Sequence, residues 1–495
     1  MADYDVIVVG AGNAALAASV SAKTEGAERV LVLEKASRAE RGGNTHFSGG
    51  LFRFAFDEPE QLRPIVPDAE AEFPGFFDGV QAYNEEDFRG DLMRVTEGRS
   101  DPELSRILIG NSYEAVRWLK EVGEIPMEPA LLLGGVRVGN SIKWRKGAVI
   151  RALHEGVGLS QHWFETAEKK GIDIRYETGA VKLVQDGKGR VAGVVAKGPD
   201  GLDTIMAKAV VLGCGGFEAN MAWRAQYMSR PWDHAKVRGT RHNQGDGLRM
   251  ALEVGALQWG QWSGCHATPI NAEAPPYGDR ELTDKTNRLS YVFGVMLNIE
   301  GQRFVDEGAD VHMYTYAKYG GLILGQPGGI AFQIFDSKVL HLLEERYATS
   351  EPVRGDTLEA LIGQLNLDRK QAVATLDAHN RAAGQGGPFN PQVKAAPSTN
   401  ALAPPKSNWA QKLDKPPYVA YPVTGGITFS FGGLKVDEAA RVIGTDWRPI
   451  SGLYCCGEMV GGLFHYNYPG GTGLTSGAVF GRIAVGLVHD LSHPI

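Results

Sequence analysis

The hydrophobic pattern is clearest over the first 35 residues of the chain. Apolar runs at Asp5–Val9 and Arg29–Leu33 are typical of buried strands, and the alanine-rich run between them, through Lys23, is typical of a helix. A glycine turn, Gly10 to Ala15, joins the first strand to this helix. The order strand, turn, helix, strand predicts a βαβ unit.

The glycine turn has the spacing of a dinucleotide-binding fingerprint. Gly10 allows the tight turn, Gly12 lets a pyrophosphate approach the backbone, and Ala15 is a small residue that packs helix on strand. Glu34 ends the second strand, where a carboxylate accepts hydrogen bonds from an adenosine ribose. The unit therefore predicts dinucleotide binding at the start of its helix.

Short apolar runs recur later, with Asp186–Gly189 as a hairpin turn. Four further strands are predicted at Ile172–Tyr176, Ala180–Val184, Val191–Ala196 and Ala209–Leu212. The last of them enters a glycine turn, Gly213–Phe217, which returns the chain to the dinucleotide. Helical spacing predicts helices over Asp101–Val122, Leu358–Ala383 and Ala478–Leu491.

The composition changes between residues 268 and 415, which contain proline-rich loops and a helical pattern. The density of glycine rises again after Pro416 and Pro417. We therefore expect an α/β protein with a Rossmann-like dinucleotide-binding domain built from residues 1–267 and 416–495. Residues 268–415 are expected to form an inserted second domain. A chain of 495 residues exceeds what one core usually serves.

Composition adds one positive signal, an excess of glycine. The chain has 64 glycines in 495 residues, about 13% where ordinary usage is ~7%. Four of the nine residues from Gly42 to Gly50 are glycine, so this segment is expected to be a loop that approaches a ligand closely. The remaining glycines cluster at turns in the same way.

Charge and cysteine usage exclude several classes. A formal net charge of −7 without long charged runs argues against binding to nucleic acid or to an anionic membrane. No stretch of about 18 apolar residues is present, and the first strand begins too early for a signal peptide, so a cytoplasmic location is expected. The four cysteines are expected to be buried thiols. No metal site is expected, since His489 and His493 alone supply too few ligands.

A set of motifs along the chain resembles the fumarate reductase/succinate dehydrogenase flavoprotein superfamily. Besides the N-terminal fingerprint, the motifs are Gly42–Gly50, Val210–Phe217, Gly245–Gly247, Gly301–Glu307, Gly457–Glu458 and Gly470–Gly473. The resemblance implies a glutathione-reductase-like FAD-binding domain with an inserted α+β domain that caps the substrate. It also implies oxidoreduction of a carbon–carbon bond next to a carbonyl.

Two branches of this superfamily are the most similar. Residues 307–310, 314–320 and 467–474 resemble the tricarballylate dehydrogenase branch. The spacing within Gly42–Gly50 and the Tyr468-Pro469-Gly470 unit resemble 3-ketosteroid Δ1-dehydrogenases.

The resemblance implies a cofactor site spread over most of these motifs. The residues implied to bind FAD are Gly10, Gly12, Asn13, Ala14, Glu34, Lys35, Gly42, Gly43, Asn44, Thr45, Ser48, Gly49, Gly50, Val181, Cys214, Gly215, Gly216, Asp246, Glu458, Gly473 and Leu474. His46 lies closer to the double glycine than in members with covalently attached flavin, so non-covalent FAD is expected.

Three positions depart from the fumarate reductase pattern. Where those enzymes hold a dicarboxylate with arginine, histidine and arginine, this chain has His312, Phe429 and Tyr468. Tyrosine cannot supply the charge or the fork of a guanidinium. A dianionic substrate is therefore disfavoured, although Arg53, Arg145, Arg238 or Arg241 could compensate from other loops.

Desaturation next to a carbonyl requires a base, a hydride acceptor and a clamp for the enolate oxygen. By resemblance to ketosteroid dehydrogenases, Tyr468 with the N–H of Gly471 or Thr472 is the expected clamp. The base is expected among His312, Tyr314 and Tyr316, which lie where the family keeps its proton-transfer residue. His266 is a further expected substrate contact.

The expected function is an FAD-dependent dehydrogenase that introduces a C=C bond α,β to the carbonyl of a small cyclic ketone or keto acid. Alternatives are oxidation of a polycarboxylate such as tricarballylate, enoate reduction as in fumarate reductases, and a non-catalytic redox sensor. The electron acceptor, which could be oxygen, a quinone or a carrier, stays open.

Overall fold

Two large β-sheets carry the fold, and a computed structural model describes residues 2–383, 389–394 and 397–486. The strands are β1 Tyr4–Val9, β2 Val30–Leu33, β3 Leu51–Phe52, β4 Met127–Pro129, β5 Gly135–Val138, β6 Ser141–Trp144, β7 Ile150–Ala152, β8 Asp173–Arg175, β9 Gly179–Gln185, β10 Val191–Gly198, β11 Gly201–Leu212, β12 Lys236–Val237, β13 Gln258–Asn271, β14 Val295–Asn298, β15 Ala331–Asp336, β16 Val353–Gly355, β17 Tyr418–Leu434, β18 Arg441–Ile443 and β19 Pro449–Cys455.

The α-helices lie mainly on the N-terminal side of the chain, with a few in the later half. They are α1 Asn13–Thr24, α2 Ala69–Glu72, α3 Phe76–Gly79, α4 Glu85–Val95, α5 Pro102–Gly110, α6 Ser112–Glu121, α7 Leu131–Gly134, α8 Glu155–Lys169, α9 Met221–Trp223, α10 Asp246–Glu253, α11 Tyr316–Leu324, α12 Leu358–Ile362, α13 Arg369–Ala382 and α14 Thr472–Ile483.

The first sheet contains the N-terminal βαβ unit. Its strands run in the order β18, β19, β11, β1, β2, β8, and β10 and β9 extend it from β11. β1 pairs in parallel with β2 and β11, and β11 pairs in parallel with β19, so the glycine turns after β1, β11 and β19 meet at one sheet edge. Residues Val6 to Val9 of β1 are buried on both faces, as expected for a central parallel strand.

The second sheet is built around β17, a strand of 17 residues. β13, β15 and β16 pair with β17 in antiparallel fashion, β12 pairs with it in parallel, and β14 extends the sheet from β15. β13 and β17 cross or adjoin the expected domain boundaries at 267 and 416. Segments from both sides of those boundaries therefore share this sheet, and the division into domains stays a prediction.

The helices and strands predicted from the sequence pattern are of the right type, but several begin or end at other residues than predicted. The six predicted strands and the hairpin are present, with β11 longer than expected because it continues into the hairpin with β10. The predicted helix 101–122 is two helices separated at Asn111, and the predicted helix 358–383 is α12 and α13, the second capped by Asp368. The closing helix begins at Thr472, and residues 487–491 of its predicted span lie outside the described residues.

Among the helices described, none is long and apolar enough to span a membrane. The described residues also contain no cluster of histidine, cysteine and carboxylate side chains that could hold a metal ion. His489 and His493 lie outside the described residues.

Candidate active site

A single long cleft runs along the edge where the glycine turns of the first sheet meet the second sheet. It begins at the turn between β1 and α1, where Gly10 has φ +100° and an added Cβ would lie 2.7 Å from the Gly213 carbonyl oxygen. Only glycine tolerates this combination of dihedral angle and close approach. The N-terminus of α1 borders the cleft, which favours a negatively charged ligand there.

Asn13 holds the parts of this end together as well as lining it. Its backbone N–H donates to Thr45 Oγ1 at 2.8 Å, its Nδ2 donates to the Leu474 carbonyl at 2.9 Å, and its Oδ1 accepts from Trp163 Nε1 at 2.9 Å. Asn13 therefore joins α1 to the glycine loop through its backbone and to α8 and α14 through its side chain, although these segments lie far apart in sequence.

Glu34 lies at the end of β2 and lines the cleft while remaining only 6% exposed. Its Oε1 accepts from the backbone N–H of Ala36 at 2.7 Å, and burial raises its pKa to about 7. Next to it, Lys35 pairs with Asp246 at 2.6 Å across the mouth of the cleft. Glu34, predicted to accept hydrogen bonds from the adenosine ribose, and Asp246, implied to bind FAD, thus both line the cleft.

The Gly42–Gly50 loop forms the middle of the cleft, with a short 3₁₀ turn at Gly43–Thr45. Asn44 is fixed from both sides, because its Nδ2 donates to Glu218 Oε1 and to the Thr428 carbonyl at 2.6 Å each, and its Oδ1 accepts from Thr240 N. At Gly43 an added Cβ would meet no atom within 4 Å, so the backbone faces open space in the cleft. This is the cradle that a flat cofactor requires.

Two carboxyl groups lie close together at the cleft, Glu218 in the interior and Glu458 on the cleft wall. Glu218 is fully buried, and its Oε2 has no hydrogen-bond donor among the described residues. Burial, and then the neighbouring Glu458, hold the pKa of Glu218 well above its usual range. Glu458 itself accepts from Ser430 N at 2.6 Å and Ser430 Oγ at 2.9 Å. Burial and the neighbouring Glu458 therefore favour the protonated form of Glu218.

Most residues predicted to bind FAD line this cleft. They are Gly10, Gly12, Asn13, Ala14, Glu34, Lys35, Gly43, Asn44, Thr45, Ser48, Gly49, Gly50, Cys214, Gly215, Asp246, Glu458, Gly473 and Leu474. Gly42, Val181 and Gly216 are not among the lining residues. Gly42 packs on Ser160, and Gly216 packs on Glu458 and Ser430.

An aromatic cluster closes the far end of the cleft. Tyr316 and Tyr468 line it, and their hydroxyl groups are hydrogen-bonded at 2.5 Å. The His266 ring stacks on Phe429 at 5.1 Å and meets the edges of both tyrosines at 5.0 and 4.9 Å. Tyr316 begins α11 and Tyr468 precedes α14, so the pair exists only because these two helix starts meet.

Burial dominates the protonation of this cluster. It raises the pKa of Tyr316 well above its usual value, an effect that Tyr468 adds to, and it also raises the pKa of Tyr468. Burial and the Arg238 guanidinium hold the pKa of His266 well below its usual value, and neither ring nitrogen has a partner among the described residues. His266 is therefore neutral, and both tyrosines are protonated at neutral pH.

Two of the predicted proton-transfer residues lie outside the cleft lining. His312 is buried beside Glu344, with 3.9 Å between Nε2 and Oε1, and burial together with Arg145 and Arg346 keeps its pKa well below the usual value. The Tyr314 hydroxyl donates to Asp91 at 2.5 Å and accepts from Arg53 at 3.1 Å. Of the three predicted candidates for the base, only Tyr316 lines the cleft.

The cleft also contains polar residues that the sequence motifs do not identify. Asp284 and Arg346 come from the middle of the chain and line the cleft beside Gly49, and Arg238 lines it opposite Phe47. Arg238 was considered only as one of several arginines that could compensate for missing ones. No local motif marks Asp284 or Arg346, because their neighbours in space are distant in sequence.

Comparisons with known proteins agree with this arrangement. The FAD binding domain family matches residues 5–474. A probable fumarate reductase of Shewanella frigidimarina is 31% identical over 486 residues, which cover 97% of this chain and 74% of that protein. A 4-oxocyclohexanecarboxylate 2-dehydrogenase of Sinomonas cyclohexanicum is 25% identical over 561 residues, covering 98% of this chain and 93% of that protein.

Among solved structures, 3-ketosteroid Δ1-dehydrogenase of Sterolibacterium denitrificans, in complex with 1,4-androstadiene-3,17-dione, has the same fold. Its TM-score is 0.74 at 20% identity, and the match covers 98% of this chain and 99% of that one.

The fold and the cleft define a mixed helix and strand FAD-binding flavoprotein. The chain belongs to the FAD binding domain family, within the fumarate reductase/succinate dehydrogenase flavoprotein superfamily. It is an FAD-dependent oxidoreductase that acts on CH–CH groups, as its relatives are.

Proposed function

We propose that the protein dehydrogenates a small ketone, introducing a C=C bond α,β to the carbonyl. The observation that carries this proposal is the Tyr316–Tyr468 pair, two buried hydroxyl groups 2.5 Å apart in an aromatic end of the cofactor cleft. A hydroxyl donor in a dry site is suited to a developing enolate oxygen. The carbonyl oxygen and the α-carbon of a ketone are two bonds apart, so adjacent hydroxyls can address both.

In this proposal Tyr468 donates a hydrogen bond to the enolate oxygen. The backbone N–H of Gly471 and the Tyr316 hydroxyl both counter the effect of burial on the pKa of Tyr468. The Tyr316 oxygen, as phenolate, takes the α-proton when the Cα–H bond breaks. FAD, when held by the residues that line the cleft, would supply the hydride acceptor for the β-carbon. The neutral His266 ring packs edge-on against the rings of Tyr316 and Tyr468 and keeps them in place.

The same geometry disfavours a dianionic substrate such as fumarate. Phe429 and Tyr468 line the cleft at two positions where fumarate reductases were expected to carry a histidine and an arginine, and both present aromatic rings. His312 stands at the third position but lies outside the lining. The relative that acts on 4-oxocyclohexanecarboxylate supports a small cyclic ketone instead.

Anaerobic reduction of the bound flavin tests this proposal. Holoenzyme is mixed with cyclohexanones, a 3-ketosteroid, tricarballylate or succinate, and bleaching of the flavin absorbance is followed. We expect bleaching by a cyclohexanone. Bleaching by tricarballylate alone would overturn the proposal, and so would re-oxidation of reduced enzyme by an enoate without bleaching by any ketone. No response in either direction would indicate a redox sensor.

Tyr468→Phe is the sharpest variant for this test. It should retain FAD but slow flavin reduction by about 10²- to 10³-fold, the usual effect of removing one oxyanion donor. Tyr466→Phe is the matched control, since Tyr466 is a near neighbour that is 44% exposed. Equal rates in Tyr468→Phe and wild type would remove Tyr468 from the mechanism.

A further inference from the structure

Buried arginines form one wall of the cleft near the aromatic end. Arg238 is 7% exposed and Arg346 is 3% exposed, and both line the cleft. They share one carboxylate, Asp284: Arg238 Nη1 donates to Oδ1 at 2.7 Å, and Arg346 Nη2 pairs with Oδ2. The three residues form a buried row of charges, which we call the Arg238–Asp284–Arg346 wall.

The donors of Arg238 are only partly used. Its Nε donates to Thr428 Oγ1 at 3.1 Å, and its Nη1 donates to the Phe47 carbonyl at 2.9 Å and to Asp284. Its Nη2 makes no hydrogen bond to a described residue. A guanidinium presents five N–H donors in a fixed fork, and Arg238 lines the cleft, so those of Nη2 can donate to a ligand there. The free edge of Arg238 therefore fits an acceptor brought by a ligand.

A second guanidinium near this wall is also only partly paired. Glu344 faces Arg346 at 3.4 Å as well as Arg145. The Nε and Nη1 of Arg145 are buried without a partner among the described residues. Arg145 lies outside the lining of the cleft, so the unused donors that a ligand in the cleft can reach are those of Arg238.

The Arg238 guanidinium lines the same cleft as the proposed reacting groups. Arg238 is among the charges that lower the pKa of Tyr316, of Tyr468 and of His266, although burial is the larger influence on each. Phe429 and Thr428 are consecutive residues of β17, and they contact the aromatic cluster and Arg238 respectively. Arg238, Tyr316 and Tyr468 also line the same cleft, so one small molecule in it can contact the tyrosine pair and Arg238.

We propose that the substrate is a keto acid whose carboxylate binds Arg238 in the Arg238–Asp284–Arg346 wall while its ketone oxygen binds Tyr468. This rests on the proposed dehydrogenation of a ketone and adds an anionic group to its substrate. Arg238 follows β12 and lies far in sequence from positions 312 and 468, where fumarate reductases were expected to carry arginine. The substrate carboxylate therefore binds to a residue other than those at positions 312 and 468.

The first arm of the test measures specificity. Wild-type holoenzyme, Arg238→Gln, Arg238→Lys and Arg241→Gln are reduced anaerobically with 4-oxocyclohexanecarboxylate or with neutral 4-methylcyclohexanone. We expect Arg238→Gln to lose about 10²-fold or more in kcat/KM on the acid and far less on the neutral ketone, with an unchanged FAD content and spectrum. Arg238→Lys should recover only part of the loss, since lysine lacks the fork. Arg241→Gln is the exposed control from the same segment.

The second arm measures binding without turnover, so that it stands if the ketone chemistry fails. Cyclohexanecarboxylate, which has no ketone, should perturb the flavin spectrum of wild type and bind at least about tenfold more weakly to Arg238→Gln. Its methyl ester should bind both proteins alike. Loss of FAD in Arg238→Gln, equal wild-type rates on the acid and the neutral ketone, or equal binding of acid and ester would overturn the proposal. Binding of the acid without bleaching by any ketone would overturn the proposed function alone.

Discussion

Single side chains in the cleft carry unusual protonation states, and their causes are visible in the structure. Tyr316, His266, Glu34 and Glu218 are all buried, and burial disfavours the charged form of each. The shifts therefore reduce the charge on these four side chains at neutral pH, and the Lys35–Asp246 pair and the Arg238–Asp284–Arg346 wall supply ion pairs to the cleft. Two predictions follow from individual residues.

The activity of the protein should rise with pH. If Tyr316 acts as phenolate, its raised pKa leaves a small reactive fraction at neutral pH, and this fraction grows about tenfold for each pH unit. We expect the rate of flavin reduction by a ketone to increase up to pH ~10, and Tyr316→Phe to abolish the increase. A wild-type rate that stays constant from pH 6.5 to pH 9 would contradict a tyrosine base and would instead fit a histidine, because burial lowers the pKa values of His266 and His312.

Glu34 should make the FAD-free protein less stable as pH rises. With a pKa of about 7 when folded, against 4.5 as the reference, native protein binds more protons than unfolded protein between these values. The free energy of unfolding should fall across this range by about 3 kcal/mol at most from this residue. Urea unfolding at pH 5 and pH 8 should show a smaller fall in Glu34→Gln. The exposed control Glu25→Gln should behave as wild type, and an identical fall in Glu34→Gln would contradict the assignment.

At the scale of elements, the cleft depends on how closely α1 and α14 approach. Both helices begin at the cleft, α1 at Asn13 and α14 at Thr472, so their packing fixes the relative positions of two helix N-termini. At Gly481 an added Cβ would lie 2.6 Å from the Ala14 carbonyl oxygen. The glycine on α14 therefore permits an approach that alanine would prevent.

Gly481→Ala should destabilise the protein by about 1–3 kcal/mol, the usual cost of overpacking. The same change should weaken FAD binding, because it moves the two helix starts apart. Gly90→Ala is the matched control, since Gly90 lies inside α4 with no atom within 4 Å of an added Cβ. That control should be neutral or stabilise by about 0.5–1 kcal/mol. Denaturation midpoints and FAD titrations give both readouts, and equal effects of the two variants would contradict the packing argument.

For the whole molecule, the cleft is lined by segments that are separated by hundreds of residues, from Val9 to Gly477. FAD held in this cleft would contact segments of both large sheets, so it should stabilise the molecule as a unit. At 100 times its dissociation constant, FAD should raise the free energy of unfolding by about 2.7 kcal/mol. Urea unfolding over a series of FAD concentrations checks this, with riboflavin expected to give less because it lacks the ADP half. Unfolding that is independent of FAD would contradict a folded, preformed cleft.

The local parts of this molecule followed from the sequence. The βαβ unit, the hairpin of β9 and β10 and the glycine turns depend on neighbours a few residues away, and periodicity and glycine spacing report such neighbours directly. The long strand β17 was not predicted, because its glycines weaken the strand pattern and its stability comes from four partner strands. Helix breaks at Asn111 and before Asp368 were missed for a related reason, since capping overrides the hydrophobic period there.

By itself, the sequence determined the class of the protein, since glycines at fixed spacing mark where backbone must approach a dinucleotide. Only the tertiary structure decided which of His312, Tyr314 and Tyr316 lines the cleft, and that Arg238, Asp284 and Arg346 meet beside it. The physical reason is the sequence separation of the residues that interact. A turn is fixed by the dihedral angles of adjacent residues, whereas the 2.5 Å contact of Tyr316 with Tyr468 joins residues 152 apart in the chain. Such a contact exists only once both sheets have packed.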